Sequence, residues 1–104
     1  MKQAYLIMAH NNFKILEILI KLLDYEMHDI YIHIDKKTKN FDIEKLKSIP
    51  KFSKINIFQE IDVKWGDLTQ VKCEIYLLEK AKNMGEYSYF HLLSRSRLTI
   101  EACS

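Results

Sequence analysis

Short apolar segments of strand length alternate with longer amphipathic segments along the chain, and this alternation constrains the fold more than any other feature. Residues 4–9 form a continuous apolar run, which predicts a buried strand. Residues 13–23 gather Lys14, Glu17 and Lys21 on one narrow face of a helix whose other positions are mostly apolar. The same pair of patterns then recurs, so strands and helices are predicted in alternation.

The later segments continue this order up to the fourth predicted strand. Further strands are predicted over residues 30–34, 55–58 and 87–93, and further helices over residues 42–49 and from Asp67 to residue 84. Pro50 ends the second helix. We therefore expect an α/β fold, with an open, mostly parallel sheet, right-handed crossovers and helices on both faces.

The third predicted helix carries expectations of its own. Asp67 is suited to cap its first turn, and Gly85 is suited to a left-handed turn after its last residue. Apolar residues at helical spacing predict which face of this helix meets the core. These residues are Leu68, Val71, Ile75 and Leu78.

Composition and charge restrict the class of protein. The 104 residues allow one domain or part of one, and 48% apolar and 29% charged residues are ordinary globular usage. A net charge of +2, without a basic stripe interleaved with aromatic residues, argues against nucleic acid as a partner. Cys73 and Cys103 provide no disulfide framework, and no apolar stretch is long enough to span a bilayer. We expect a cytoplasmic protein, either free or peripheral at a membrane.

Polar residues directly follow the predicted strands. In an open parallel sheet, ligands bind outside the carboxyl ends of the strands, so these residues are candidates for one shared crevice. They are residues 10–12, 35–37, 59–60 and 94–97. These residues also have simpler interpretations, since loops after strands face water: residues 35–37 form a solvated turn, and His10 caps the first helix. Trp65, a further candidate as a sugar platform, is alternatively a packing residue. The remaining histidines are interpreted as structural, because no set of residues has metal-ligand spacing.

Three familiar classes of α/β protein are excluded by missing residues. No glycine lies near the first predicted strand–helix turn, so neither a dinucleotide fingerprint nor a phosphate-binding P-loop is present. A two-component receiver domain needs acidic residues after its first strand, where this chain has His10, Asn11 and Asn12.

Four motifs occur in one order and spacing. They are the sequence AYLIMAH at residues 4–10, YIHIDKK at residues 31–37, the pair Trp65 and Gly66, and YFHLLS at residues 89–94. Through these motifs, nearly the whole chain resembles the core-2/I-branching glycosyltransferases, a family that also contains the peptide O-xylosyltransferases.

The resemblance implies a GT-A-like fold that transfers a sugar, GlcNAc or xylose, with inversion from a UDP-sugar to a hydroxyl of a glycan or protein acceptor. It implies no metal and no other cofactor, and the sequence contains no Asp-x-Asp motif. Asp35 matches the acid that contacts the uridine, and Ala9 and His10 match residues beside the nucleotide. The implied nucleotide-sugar-binding residues are Ala9, His10, Asp35, Lys37, Trp65, Ser94 and Ser96.

The sequence departs from the family after the fourth predicted strand. Arg95, Arg97 and Thr99 stand where the family has Gly, Asp and Pro. We expect residues 1–104 to be the donor-nucleotide-binding half of a glycosyltransferase domain, without the acceptor-binding and catalytic part and inactive by itself. Exposed strand edges and apolar helix faces would then favour self-association. The alternative is a non-catalytic α/β module that binds a nucleotide or a protein partner.

Overall fold

The computed structural model describes residues 2–9, 13–64, 68–94 and 97–102, with side chains described up to Leu93. The residues in these ranges form five strands and three helices. The strands are β1 (Gln3–Ala9), β2 (His28–Ile34), β3 (Lys54–Phe58), β4 (Tyr89–Ser94) and β5 (Arg97–Ala102). The helices are α1 (Phe13–Leu23), α2 (Ile43–Ser48) and α3 (Leu68–Met84).

The strands form one sheet in the order β3-β2-β1-β4-β5. The pairs β1–β2, β1–β4 and β2–β3 are parallel, and only β5 runs antiparallel to its neighbour β4. The strand order moves outward from β1 to β3 and then returns to the other side of β1 for β4. The topological switch point therefore lies between β1 and β4, where sheets of this kind open a ligand crevice at their carboxyl edge.

Two hydrophobic cores lie on opposite faces of the sheet. On one face, Leu6 and Met8 of β1 pack with Cys73, Leu77 and Ala81 of α3. On the other face lie the alternate residues of β1 and β2, together with residues of α1 and α2. Because neighbouring residues of β1 and β2 serve opposite cores, both strands are apolar over most of their length, as covered parallel strands are. The predicted α/β fold with helices on both faces is confirmed.

Strand β5 was not predicted, since residues 94–97 were interpreted as a polar loop. The structure pairs Ser94 with Arg97 and continues the ladder to Tyr89 and Ala102. Residues 97–102 alternate between polar and apolar types, which is the period of a half-exposed strand. Only two residues separate the paired ends, the commonest spacing for a hairpin.

The predicted core face of α3 is wrong for three of its four residues. Leu68, Val71 and Ile75 are 72%, 45% and 50% exposed, and only Leu78 packs against the core. The buried residues are instead Cys73, Leu77 and Ala81, spaced four residues apart. The two small side chains let the helix lie close to β1 and β2. Helix α3 thus has two apolar stripes, and the stripe with smaller residues is the buried one.

The φ of Gly85 lies outside the left-handed region. The left-handed turn predicted after α3 is therefore wrong. The role of Gly85 is steric. A Cβ atom at this position would lie 2.8 Å from the Tyr87 hydroxyl oxygen. That hydroxyl donates to Asp29 Oδ2 at 2.6 Å and lies 2.7 Å from the Tyr31 hydroxyl, which holds the ring in place. Burial, together with the hydrogen bonds to Asp29 and Tyr31, raises the pKa of Tyr87.

Gly85→Ala is expected to lower the free energy of unfolding by about 1–3 kcal/mol, the range for extra side-chain volume in a packed region. Chemical denaturation would measure the change. In a Tyr87→Leu background the same substitution should cost much less, because the ring atoms nearest the new methyl group are gone. An equal cost in both backgrounds would contradict the steric role.

Candidate functional site

The carboxyl ends of β2, β1 and β4 lie side by side at one edge of the sheet. Ala9 ends β1, and its carbonyl oxygen accepts a hydrogen bond of 2.9 Å from the Asp35 amide. Ser94 ends β4 at the same edge. The structure therefore brings together the backbone of Ala9, Asp35 and Ser94, as the sequence predicted. The predicted residues His10, Trp65 and Ser96 lie outside the described residues, and so does Asp67.

Asp35 is buried, with only 5% of its surface exposed, so the solvated-turn interpretation is wrong for this residue. Its Oδ1 atom accepts hydrogen bonds from the amides of Lys37, at 3.3 Å, and Val63, at 3.2 Å. Burial alone would raise the pKa of Asp35, but these amides and the Lys37 ammonium together hold it below its ordinary value. The carboxylate is therefore ionised at neutral pH.

The ammonium group of Lys37 lies between two carboxylates. Its Nζ is 3.2 Å from Asp35 Oδ2 and 3.1 Å from the Val63 carbonyl oxygen, and it also donates to Asp62. The hydrogen bond to Asp62 is the main cause that raises the pKa of Lys37. The sequence predicts that Lys37 contacts the nucleotide, but in this structure its ammonium group binds Asp35, Asp62 and the Val63 carbonyl oxygen. Asp62 is a member of the cluster that sequence reasoning missed.

Asp35 and Lys37 belong to a tight turn, residues 35–38, which we call the Asp35 turn. It is closed by a 2.9 Å hydrogen bond from the Thr38 amide to the Asp35 carbonyl oxygen. Residues 59–63, which we call the β3 exit segment, fold back over this turn. The Gln59 side-chain amide donates to the carbonyl oxygens of Asp35 and Thr38, at 3.1 and 2.8 Å.

A backbone hydrogen bond also joins the two pieces, from the Lys36 amide to the Ile61 carbonyl oxygen at 3.1 Å. At its far end the β3 exit segment leads to Lys64, whose amide donates to the Thr69 hydroxyl of α3 at 2.7 Å. The Asp35 carboxylate is therefore enclosed by a segment fixed at both of its ends. No sequence pattern indicated this closure, because it depends on the chain reversing direction after β3.

Chemically, the cluster offers a buried, ionised acceptor beside the switch point of the sheet. Among the described residues, Oδ2 of Asp35 has one hydrogen-bonding or ionic partner, the Lys37 ammonium. Within the described ranges, no three His, Cys, Asp or Glu side chains are grouped closely enough to bind a metal ion.

The sequence model of the Core-2/I-Branching enzyme family matches residues 3–101, which is almost the entire chain. The chain belongs to this family. The resemblance inferred from the four motifs is thereby confirmed, and the family's general activity is glycosyl transfer. No curated protein matches the chain.

Enzymes of the Core-2/I-branching family use a sugar donor and an acceptor. The cluster around Asp35 is therefore a candidate for binding one of these two substrates. Three of the four family-like motifs reach the candidate edge: residues 4–9 of AYLIMAH on β1, YIHIDKK at the Asp35 turn and YFHLLS on β4. Among the helices that the structure describes, none combines the length and the apolar character needed to cross a bilayer.

Proposed function

We propose that residues 1–104 form the donor-nucleotide-binding part of a GT-A-like glycosyltransferase that uses a UDP-sugar, with GlcNAc or xylose as the sugar. The acceptor is a hydroxyl of a glycan or protein, and the sugar is transferred with inversion. One observation carries the proposal: a buried carboxylate, Asp35, is kept ionised at the carboxyl edge next to the switch point between β1 and β4.

Asp35 can recognise the nucleoside by accepting hydrogen bonds. A uracil ring N–H and the ribose hydroxyls are donors, and a charged acceptor strengthens such bonds. The protein already orients the carboxylate through the Lys37 and Val63 amides, so little side-chain freedom would be lost on binding. In this proposal Lys37 positions Asp35, and it contacts the nucleotide only if its ammonium leaves Asp62.

The diphosphate is proposed to bind without a divalent metal. The sequence has no Asp-x-Asp motif, and the exposed side chains of Lys36 and Lys39 lie in and directly after the Asp35 turn. Lysine is a common phosphate ligand that acts as a point charge. These two residues are therefore proposed to offset part of the diphosphate charge.

The described part of the chain is proposed to bind the donor rather than to complete the transfer. A general base for the acceptor hydroxyl needs a pKa matched to its task, often raised toward neutrality. The described carboxyl groups with a shifted pKa, Asp24 and Asp35, are both shifted downward. Both therefore suit hydrogen-bond acceptance.

Calorimetric titration with UDP tests the proposal. We expect weak binding that is the same in EDTA as in Mn²⁺, and weaker binding of CDP and ADP, whose bases present different donors. The absence of UDP binding would reject the proposed function. Binding that needs Mn²⁺ would reject only the metal-independent site, and equal affinities for UDP, CDP and ADP would reject recognition of the base.

A further inference from the structure

His33 lies on β2 two residues before Asp35 and is buried, with 1% of its surface exposed. Its Nε2 atom accepts hydrogen bonds from the amides of Glu60, at 3.2 Å, and Ile61, at 3.0 Å. Both amides belong to the β3 exit segment. One ring nitrogen therefore holds two successive residues of the segment that encloses Asp35.

This arrangement requires one protonation state of the ring. Because Nε2 accepts, the imidazole must be neutral with its proton on Nδ1. Burial lowers the pKa of His33, although Asp35 and Glu60 oppose this effect, so the ring is neutral at neutral pH. The Tyr76 ring of α3 packs edge-on against it, with a centroid separation of 5.8 Å.

The choice of histidine at this position has a cost. The Nδ1 atom is buried with no hydrogen-bond partner among the described residues, which is unfavourable for a polar group. An apolar side chain would fill the same space without that cost, but it could not bind the two amides. The acceptor at Nε2 is therefore the property that distinguishes histidine here.

The contact to His33 is connected to the candidate site through a short stretch of chain. Ile61 accepts from the Lys36 amide, and Val63, two residues later, donates to Asp35 Oδ1. If the amides of residues 60 and 61 lose their acceptor, fewer hydrogen bonds hold the segment before Val63, and the position of the Val63 amide becomes less fixed.

We propose that His33 is a positioning residue for nucleotide binding, which holds the β3 exit segment so that Val63 can orient the Asp35 carboxylate. This inference rests on the proposed function. His33 does not itself contact the nucleotide, and its effect on affinity is transmitted through the Val63 amide.

Amide hydrogen exchange without ligand, resolved by NMR, tests the positioning role directly. In His33→Leu the amides of Glu60, Ile61 and Val63 should exchange about two- to twelvefold faster, the range expected for a lost hydrogen bond of ordinary strength. His33→Gln carries an amide oxygen at about the same reach as Nε2 and should restore most of the protection. Leu16→Ala is the matched control, since it removes buried side-chain volume from the core on the opposite face of the sheet, which contains no residue of the β3 exit segment.

In the control, exchange in residues 60–63 should rise only as much as exchange in the central strands. Unchanged exchange at these amides in His33→Leu would overturn the proposal. So would equal acceleration throughout the chain, which would indicate a purely structural role. If His33→Leu does not fold, the ¹⁵N chemical shifts of the His33 ring in the unmodified protein decide, because a proton on Nε2 is incompatible with the proposal.

UDP titration of the same variants completes the test. His33→Leu should lower UDP affinity by up to about tenfold and His33→Gln should recover it, in proportion to the exchange of the Val63 amide. If the unmodified protein does not bind UDP, the proposed function fails, whereas the exchange data still decide whether His33 fixes the segment. Unchanged UDP affinity in His33→Leu, despite faster exchange, would overturn its role in nucleotide binding.

Discussion

Leu77→Ala is expected to lower the free energy of unfolding by about 2–5 kcal/mol, the range for truncating a fully buried leucine. Leu77 has no exposed surface and lies at the centre of the buried stripe of α3, between Cys73 and Ala81. Its loss would leave a cavity against β1 and β2, because the small neighbouring side chains cannot fill the space. Urea denaturation followed by circular dichroism would measure the change.

Ile75→Ala is the matched control, since both substitutions remove a branched aliphatic side chain from the same helix. Ile75 is 50% exposed and is rotated by about 200° around the helix axis from Leu77. Its truncation should change the stability by less than about 1 kcal/mol. The reverse order of the two effects would mean that α3 buries its other apolar stripe.

This pair of residues shows why the core of α3 could not be predicted from periodicity. Two apolar stripes fit the helical period, and hydrophobicity favours the one with Val71 and Ile75. In the structure the stripe with Cys73, Leu77 and Ala81 faces the sheet, because the small side chains of Cys73 and Ala81 allow the helix to lie closer to the strands. For α1 the predicted bounds agree with the structure. Its narrow polar face did not identify the whole exposed surface, since Ile15, Ile18 and Leu22 are 59%, 56% and 66% exposed.

The candidate site was predictable only where strand ends determine it. The sequence predicts that Ala9 and Asp35 lie close together, because parallel strands place their carboxyl ends at the same edge of the sheet. The hydrogen bond between their backbones agrees with this prediction. Asp62 and Val63 could not be predicted, since their contacts arise where the chain folds back after β3. Their contacts also change the expected role of Lys37, whose ammonium lies between two carboxylates.

Asp35→Asn is expected to weaken UDP binding by about 1.5–3 kcal/mol, roughly ten- to hundredfold, the usual range for a hydrogen bond to a charged group. Asparagine keeps an oxygen that can accept from the Val63 amide, but it replaces the other carboxylate oxygen with an amino group. The fold should therefore be less affected than the binding site. Titration calorimetry and thermal unfolding of the same samples would separate the two effects.

Asp35→Ala should produce the same loss of affinity together with a loss of stability of about 1–3 kcal/mol, because the buried Val63 amide is left without an acceptor. The carboxylate has a lowered pKa, so its contribution to stability is present above the ordinary value of 3.8 and is lost as the pH falls through its value in the folded protein. The stability difference between the unmodified protein and Asp35→Ala should therefore shrink in that acidic range.

Asp24→Ala is the control for these effects. The Asp24 carboxylate also has a lowered pKa and accepts from the backbone amides of Lys51, Phe52 and Ser53, at 2.6, 2.9 and 2.9 Å. It lies between α1 and β2, before the amino end of that strand, and therefore at the opposite edge of the sheet from Asp35. Its removal should destabilise the fold and leave UDP affinity unchanged. If Asp24→Ala weakens UDP binding as much as Asp35→Ala does, loss of affinity merely follows loss of stability, and Asp35 has no specific role in binding the nucleotide.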